Sequence, residues 1–158
     1  MSRTLISNVR IFDGTGTDPF EGQVLIEGEA IAAVLQPGEA IGDGNTRRID
    51  GKGHFLMPGM VEAHAHLTWP SSIERVINAM RVPLEEHVAV TEANARITLD
   101  AGFTSAYSAG SLGEDIEPAL RDRIMSGEIP GPRLRASALE KGMEGVMGVP
   151  EGHDPNHD

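Results

Sequence analysis

Residues 58–68 read PGMVEAHAHLT, with His64 and His66 one residue apart directly behind an apolar run. An imidazole is costly to bury without a partner, so the pair needs a reason. In an extended chain residues i and i+2 project to the same side. The two rings therefore point together while Ala65 turns away. At the carboxyl end of a buried parallel strand, that direction faces the place where α/β active sites are built. Two neutral imidazoles converging there can each give a nitrogen to one divalent ion, with Zn²⁺ the default choice. Such an ion lowers the pKa of a bound water to about 7 and polarises a carbonyl. His-x-His also arises by chance, and two histidines alone are an incomplete site. Its weight comes from the Pro-Gly-Met-Val-Glu that leads into it.

Glu62 stands two before His64 and shares its side if the strand runs on. It then orients an imidazole or caps the strand rim, and both roles stay open. His54, ahead of the strand, and His87, on a helix beside Glu86, are expected on the surface rather than as ligands. Ser71, Ser108 and Ser111 have no evident base partner, so a serine nucleophile is not expected. Gly14–Gly16 lacks the spacing of a phosphate-binding loop.

The elements that must position the pair follow from periodicity. Residues 4–12 read as a strand closed by Asp13-Gly14, and residues 22–35 as a hairpin turning at Glu27-Gly28-Glu29. Another short strand is expected at Thr46–Ile49. The first fifty or so residues are thus a small all-β module without a catalytic cluster. His54–Val61 reads as a strand buried on both faces, as in a parallel sheet. Ser71 and Glu74 have capping-box spacing ahead of Ile73, Val76, Ile77 and Met80. Pro83 opens a second helix, with Leu84, Val88, Thr91, Ala95 and Leu99 along one face and Gly102 at its end. Phe103–Ser108 is the next strand, residues 115–126 a helix stopped by Gly127, and Arg133–Ala138 a third strand. Strand, helix, strand, helix, strand is the order of a right-handed parallel α/β fold. From Glu140 onward no periodicity survives, and a loop is expected.

Composition excludes several classes. The 158 residues carry a formal charge of −11, which repels phosphates and argues against nucleic-acid or anionic-membrane partners. There is no cysteine, so disulfides and thiolate metal sites are impossible; a cytoplasmic setting suits this. Aromatics are only 4% of the chain, so the core must be aliphatic. The start, MSRTLISNVRIFDG, lacks the apolar run of a signal peptide. No stretch approaches the roughly 18 apolar residues of a membrane span.

Several segments together resemble the N-terminal part of a metal-dependent amidohydrolase, of the imidazolonepropionase and Xaa-Pro dipeptidase-like branch. LISNVRIFDGTG and VLIEGEAIAAV are similar to that family's opening β-sandwich strands, and PGMVEAHAHL to its first barrel strand. LDAGFTSAYSAG resembles the second strand, and ALRDRIMSGEIPGPRLRAS the helix and third strand beyond it. The resemblance implies a small β-sandwich over residues 1–53. Residues 54–158 would then be the first three strand–helix units of a TIM-type (β/α)₈ barrel, since a full barrel takes about 250 residues. It also implies a hydrolase for a carbon–nitrogen bond in a dipeptide, amide or cyclic amide, carrying one or two divalent ions, with His64 and His66 as the first two metal ligands.

The same resemblance sets what this chain should lack. The family's bridging lysine, later histidines and proton-shuttling aspartate belong to strands not reached here, so no catalytic residue is assigned, and Lys141 lies one unit too early. Relatives often carry an Arg-Asp pair where this chain has Tyr107 and Ser108, which leaves the substrate open. Tyr107 and His153, the latter in a Gly-His near the expected site mouth, are candidate contacts for a small-molecule substrate. The chain is expected to be a truncated piece, inactive alone, whose open sheet edge leads it to self-associate or to need the missing C-terminal part. A non-catalytic scaffold, or a decarboxylase or deaminase on the same metal scaffold, stands as the alternative.

Overall fold

The computed structural model of the protein describes residues 2–42, 44–69, 83–113 and 115–137. The expected helix at 71–80, the end of the third strand at Ala138, Lys141 and His153 lie outside the described residues. The chain divides into two compact units, Met1–Pro58 and Gly59–Asp158.

The first unit is one mixed sheet. Its strands are β1 (Arg3–Ile11), β2 (Phe20–Glu27), β3 (Ala30–Leu35), β4 (Thr46–Asp50) and β5 (Phe55–Leu56), in the order β3-β2-β1-β4 with β5 also on β1. The expected hairpin forms β2 and β3, turning at Gly28 with φ 63°, a conformation glycine adopts without penalty. The sandwich expected over residues 1–53 is, among the described residues, a single sheet. Val9, Ile11 and Val24 are buried against Ile6, Ile26 and Leu56, while the paired Leu5 and Leu25 are buried outside that cluster. β4 and β5 share one edge of β1: Arg3–Ser7 pair with Thr46–Asp50, and Arg10–Ile11 pair with Phe55–Leu56. At the break between them Asn8 takes φ 54°. There Asp50 Oδ1 accepts the Asn8 amide and the Lys52 N–H, each at 2.9 Å.

This sheet corrects one sequence expectation. The apolar run His54–Val61 is not one buried strand. Phe55–Leu56 completes the first sheet, Pro58-Gly59 interrupts, and Met60 starts a strand of the second unit. Proline has no N–H to give to a ladder, so a strand interior is a poor place for it.

Among the described residues, the second unit layers two helices on a parallel sheet of β6 (Met60–Ala65), β7 (Phe103–Ser108) and β8 (Arg133–Arg135), in that order. Helix α1 (Leu84–Asp100) follows β6 in the chain, and α2 (Ile116–Met125) follows β7. Ala65, Leu67, Ala95, Ala106, Leu120 and Leu134 form the core, with Ile124, Ile129 and Ala136 packed on it. Small alanines from a helix and two strands meet here, so the layers approach closely around an aliphatic core.

Helix α1 keeps Thr91 and Ala95 of its expected face inward but departs from that face in its first turn. Its buried stripe is His87, Thr91 and Ala95, spaced four apart, whereas Leu84 is 67% exposed. His87 is therefore a core residue at 3% exposure, not the surface residue its acidic neighbour implied. The reason is local: α1 is only weakly amphipathic, and its apolar residues leave the inward face to be decided by contact with the sheet.

Gly59, just ahead of β6, sits against the Thr104 side chain of β7. A Cβ there would lie 2.1 Å from Thr104 Oγ1 and 2.7 Å from Thr104 Cβ. Gly59→Ala is expected to destabilise the second unit by about 1–3 kcal/mol, whereas Gly42→Ala, which meets nothing within 4 Å, stays within about 0.5 kcal/mol. Urea unfolding of the two variants measures the contrast. The Lys52 N–H and the Asn8 amide hold the Asp50 carboxyl below its usual pKa. These bonds stabilise the fold above the ordinary carboxylate range, and that contribution is lost as pH falls through the depressed value. Asp50→Asn should therefore flatten the acid limb of a melting-temperature against pH profile.

Candidate functional site

The site is assembled where β6 runs out. Ala65 is 7% exposed and faces the core, so alternation turns His64 and His66 the other way. His64 is exposed and His66 half-buried. Their Nε2 atoms stand 3.3 Å apart, and the ring centroids are 5.0 Å apart with planes at 75°. The rings converge edge to face with the far nitrogens leading.

The protonation pattern follows from partners. His66 Nδ1 lies 3.2 Å from the Gly110 carbonyl oxygen, and a carbonyl only accepts. Nδ1 therefore carries the proton, and in the neutral ring Nε2 is left with its lone pair. That is the tautomer a metal-binding histidine needs, with its other nitrogen fixed by a backbone carbonyl. The donor set fits a divalent ion in one further respect. Two nitrogens bound tetrahedrally at about 2.05 Å would be about 3.3 Å apart, and these are at 3.3 Å. Among the described residues no group of three or more His, Cys, Asp or Glu side chains is placed to hold a metal ion. The pair would supply one edge of such an ion's coordination sphere.

Backbone and helix contacts hold that edge. The Ala109 N–H donates to the Ala65 carbonyl at 2.8 Å. Buried Thr68 accepts the Leu112 N–H at 2.8 Å. From α1, the Asn94 amide donates to the carbonyls of Leu67 at 2.8 Å and Trp69 at 3.1 Å. Trp69, the chain's single tryptophan, places its ring 5.0 Å from that of His66, tilted by 48°. A loop that follows a strand is thus fixed at both sides by groups from α1 and from the turn after β7.

Glu62 Oε1 accepts the backbone N–H of His64 at 3.0 Å. The β6–β7 register slips by one residue between Glu62 and Ala65, so the alternation that would set Glu62 beside His64 is interrupted. Such bulges re-aim side chains at strand ends. Tyr107 is 51% exposed, beside fully buried Ala106 on β7, and His54 is exposed.

Glu117, on the first turn of α2, is fully buried. Its Oε2 accepts the Ser137 N–H at 3.2 Å, while Oε1 has no hydrogen-bond partner among the described residues. Burial pushes this carboxyl above its usual pKa. The Ser108 hydroxyl, the Ser137 N–H, the charge of His66 and the Leu67 backbone oppose that shift. Sequence reasoning passed over Asn94, Trp69 and Glu117. An asparagine inside a helix is a weak helix former and so a usable signal. Glu117 gave none, because an acid in a first turn is explained by the helix dipole alone.

Asn94→Ala leaves two carbonyls without their donor. A loss of about 1–3 kcal/mol is expected, with a shift in the emission of Trp69, whose carbonyl is one of the two; denaturation followed by fluorescence reads both.

Comparison with known proteins places these features. No protein-family model matches the chain. It is similar to the imidazolonepropionase of Shouchella clausii (strain KSM-K16), 28% identical over 109 residues, which span 66% of this chain and 24% of that protein. Among solved structures it is similar to a Xaa-Pro dipeptidase with methionine bound in its active site. That likeness has a TM-score of 0.73 and 26% identity, and covers 87% of this chain and 34% of the other. Phenylurea hydrolase B is also similar, with a TM-score of 0.69 and 26% identity over 87% of this chain and 31% of that one. The chain thus spans about a quarter of the curated relative and a third of the solved structures. The α/β architecture and the resemblance read from the residues are supported.

Proposed function

We propose that this chain, a relative of the amidohydrolase enzymes by sequence and structure, supplies the first two metal ligands, His64 and His66, of a metal-dependent hydrolase for carbon–nitrogen bonds. The observation that carries the reading is the pair of Nε2 atoms converging at 3.3 Å, with His66 fixed by the Gly110 carbonyl. On this reading the three parallel strands are the opening strands of a (β/α)₈ barrel, whose carboxyl-end face is where such sites are built. A bound divalent ion, Zn²⁺ by donor chemistry, would supply an activated water and polarise the scissile carbonyl.

The chain's own residues have narrower tasks. His64 and His66 present lone pairs, Gly110 fixes a tautomer, and Asn94 and Thr68 keep the following loop in place. Tyr107 and His153 remain our candidates for substrate contact, and dipeptides, N-acyl amino acids and cyclic amides the candidate substrates. No helix among the described residues is long and apolar enough to cross a membrane, and we take the setting to be cytoplasmic. The open edges of the parallel sheet favour self-association. Because the described residues offer only two ligand side chains, a scaffold without turnover is the second reading.

Metal binding separates the two. Co²⁺ should bind the purified chain and quench Trp69, 5.0 Å from the His66 ring, and His64→Ala/His66→Ala should weaken binding at least a hundredfold. Elemental analysis that finds equal, negligible metal in both proteins favours the scaffold. Release of amine from dipeptides or N-acyl amino acids, abolished by a chelator, tests turnover.

A further inference from the structure

Glu117 has no part in the reading above, yet it sits at the convergence of every strand end in the second unit. Its Oε2 accepts the N–H of Ser137, just past β8. Ser108, the last residue of β7, and Leu67, two residues past β6, are its other polar neighbours. A fully buried carboxyl costs stability unless something is gained. The gain is traceable through bonds. Ser108 Oγ accepts the Gly110 N–H at 3.3 Å, which leaves the hydroxyl proton to point elsewhere, and Glu117 is the adjacent acceptor. The Gly110 carbonyl in turn receives the Nδ1–H of His66 at 3.2 Å.

We propose that Glu117 is a positioning residue: its buried carboxyl anchors Ser108, Ser108 anchors the Gly110 peptide, and that peptide holds His66 with its proton on Nδ1 and its Nε2 turned toward that of His64. The chain of contacts runs from α2 through the end of β7 to the end of β6. It fixes a ring orientation without Glu117 touching metal or substrate. The inference rests on the metal reading for its purpose, but its first observable does not need metal.

The test compares the full chain with Glu117→Leu, Ser108→Ala and Glu117→Gln. Long-range proton–nitrogen spectra of the imidazoles, recorded metal-free under mildly alkaline conditions where neutral rings prevail, report the tautomer of His66. The unsubstituted protein should show the Nδ1–H form in large excess. Glu117→Leu and Ser108→Ala should each convert it to a mixture and weaken Co²⁺ binding about tenfold or more. Glu117→Gln, which keeps an acceptor oxygen, should restore both. The proposal is overturned if His66 in the unsubstituted protein carries its proton on Nε2. It is also overturned if folded Ser108→Ala retains the Nδ1–H form unchanged, and that small substitution keeps the test decisive even where Glu117→Leu fails to fold. Absence of Co²⁺ binding in the unsubstituted protein would sink the metal reading alone, because the tautomer is measured without metal.

Discussion

The hydrogen bond from His66 Nδ1 to the Gly110 carbonyl, 3.2 Å long, is the contact on which the site depends. It joins the end of one strand to the turn after the next, and it decides which nitrogen of the ring carries the proton. Were that carbonyl turned away, the ring could rotate or exchange tautomers, and the approach of its Nε2 to that of His64 would lose its chemical meaning. A single backbone group therefore fixes the proton of one of the two convergent rings.

The second unit is arranged to keep that carbonyl and that ring in register. Parallel pairing aligns the carboxyl ends of β6 and β7, and the Ala109 N–H donating to Ala65 extends the alignment past the strands. The alanines at 65, 95 and 106 let helix and sheet approach without a bulky side chain between them. Asn94 on one helix and Glu117 on the other then reach the loops after the strands, so the core helices do more than cover the sheet. Buried polar groups of this kind are expensive unless satisfied. Their concentration at the strand ends, away from the aliphatic centre, marks that end as the one with a task.

Much of this was legible in the sequence, and unevenly so. Phe103–Ser108 is a strand with the bounds its residues imply, because a run flanked by Gly102 and a helix-capping segment leaves little freedom. The hairpin at Gly28 and the stop of α2 before Gly127 were equally plain, since glycine at positive φ is a local, steric signal. The run His54–Val61 was misjudged because hydrophobicity cannot say to which of two sheets a segment belongs; Pro58-Gly59 was the clue. His87 was misplaced because a charged neighbour says nothing about which side of a weakly amphipathic helix faces the sheet.

By itself the sequence determined the pairing of His64 with His66, since extended backbone geometry puts residues i and i+2 on one side wherever they occur. It also determined the order of strands and helices, which depends on periods of two and three to four residues read over short windows. Only the tertiary structure decided the tautomer of His66, the turning of Glu62 to the backbone, and the gathering of Asn94, Ser108 and Glu117 around the strand ends. The longest-reaching of those hydrogen bonds, His66 to Gly110 and Asn94 to Leu67, join residues 44 and 27 positions apart, and the turning of Glu62 goes with a one-residue slip in register. Interactions of that range are created when the layers pack and leave no local pattern behind.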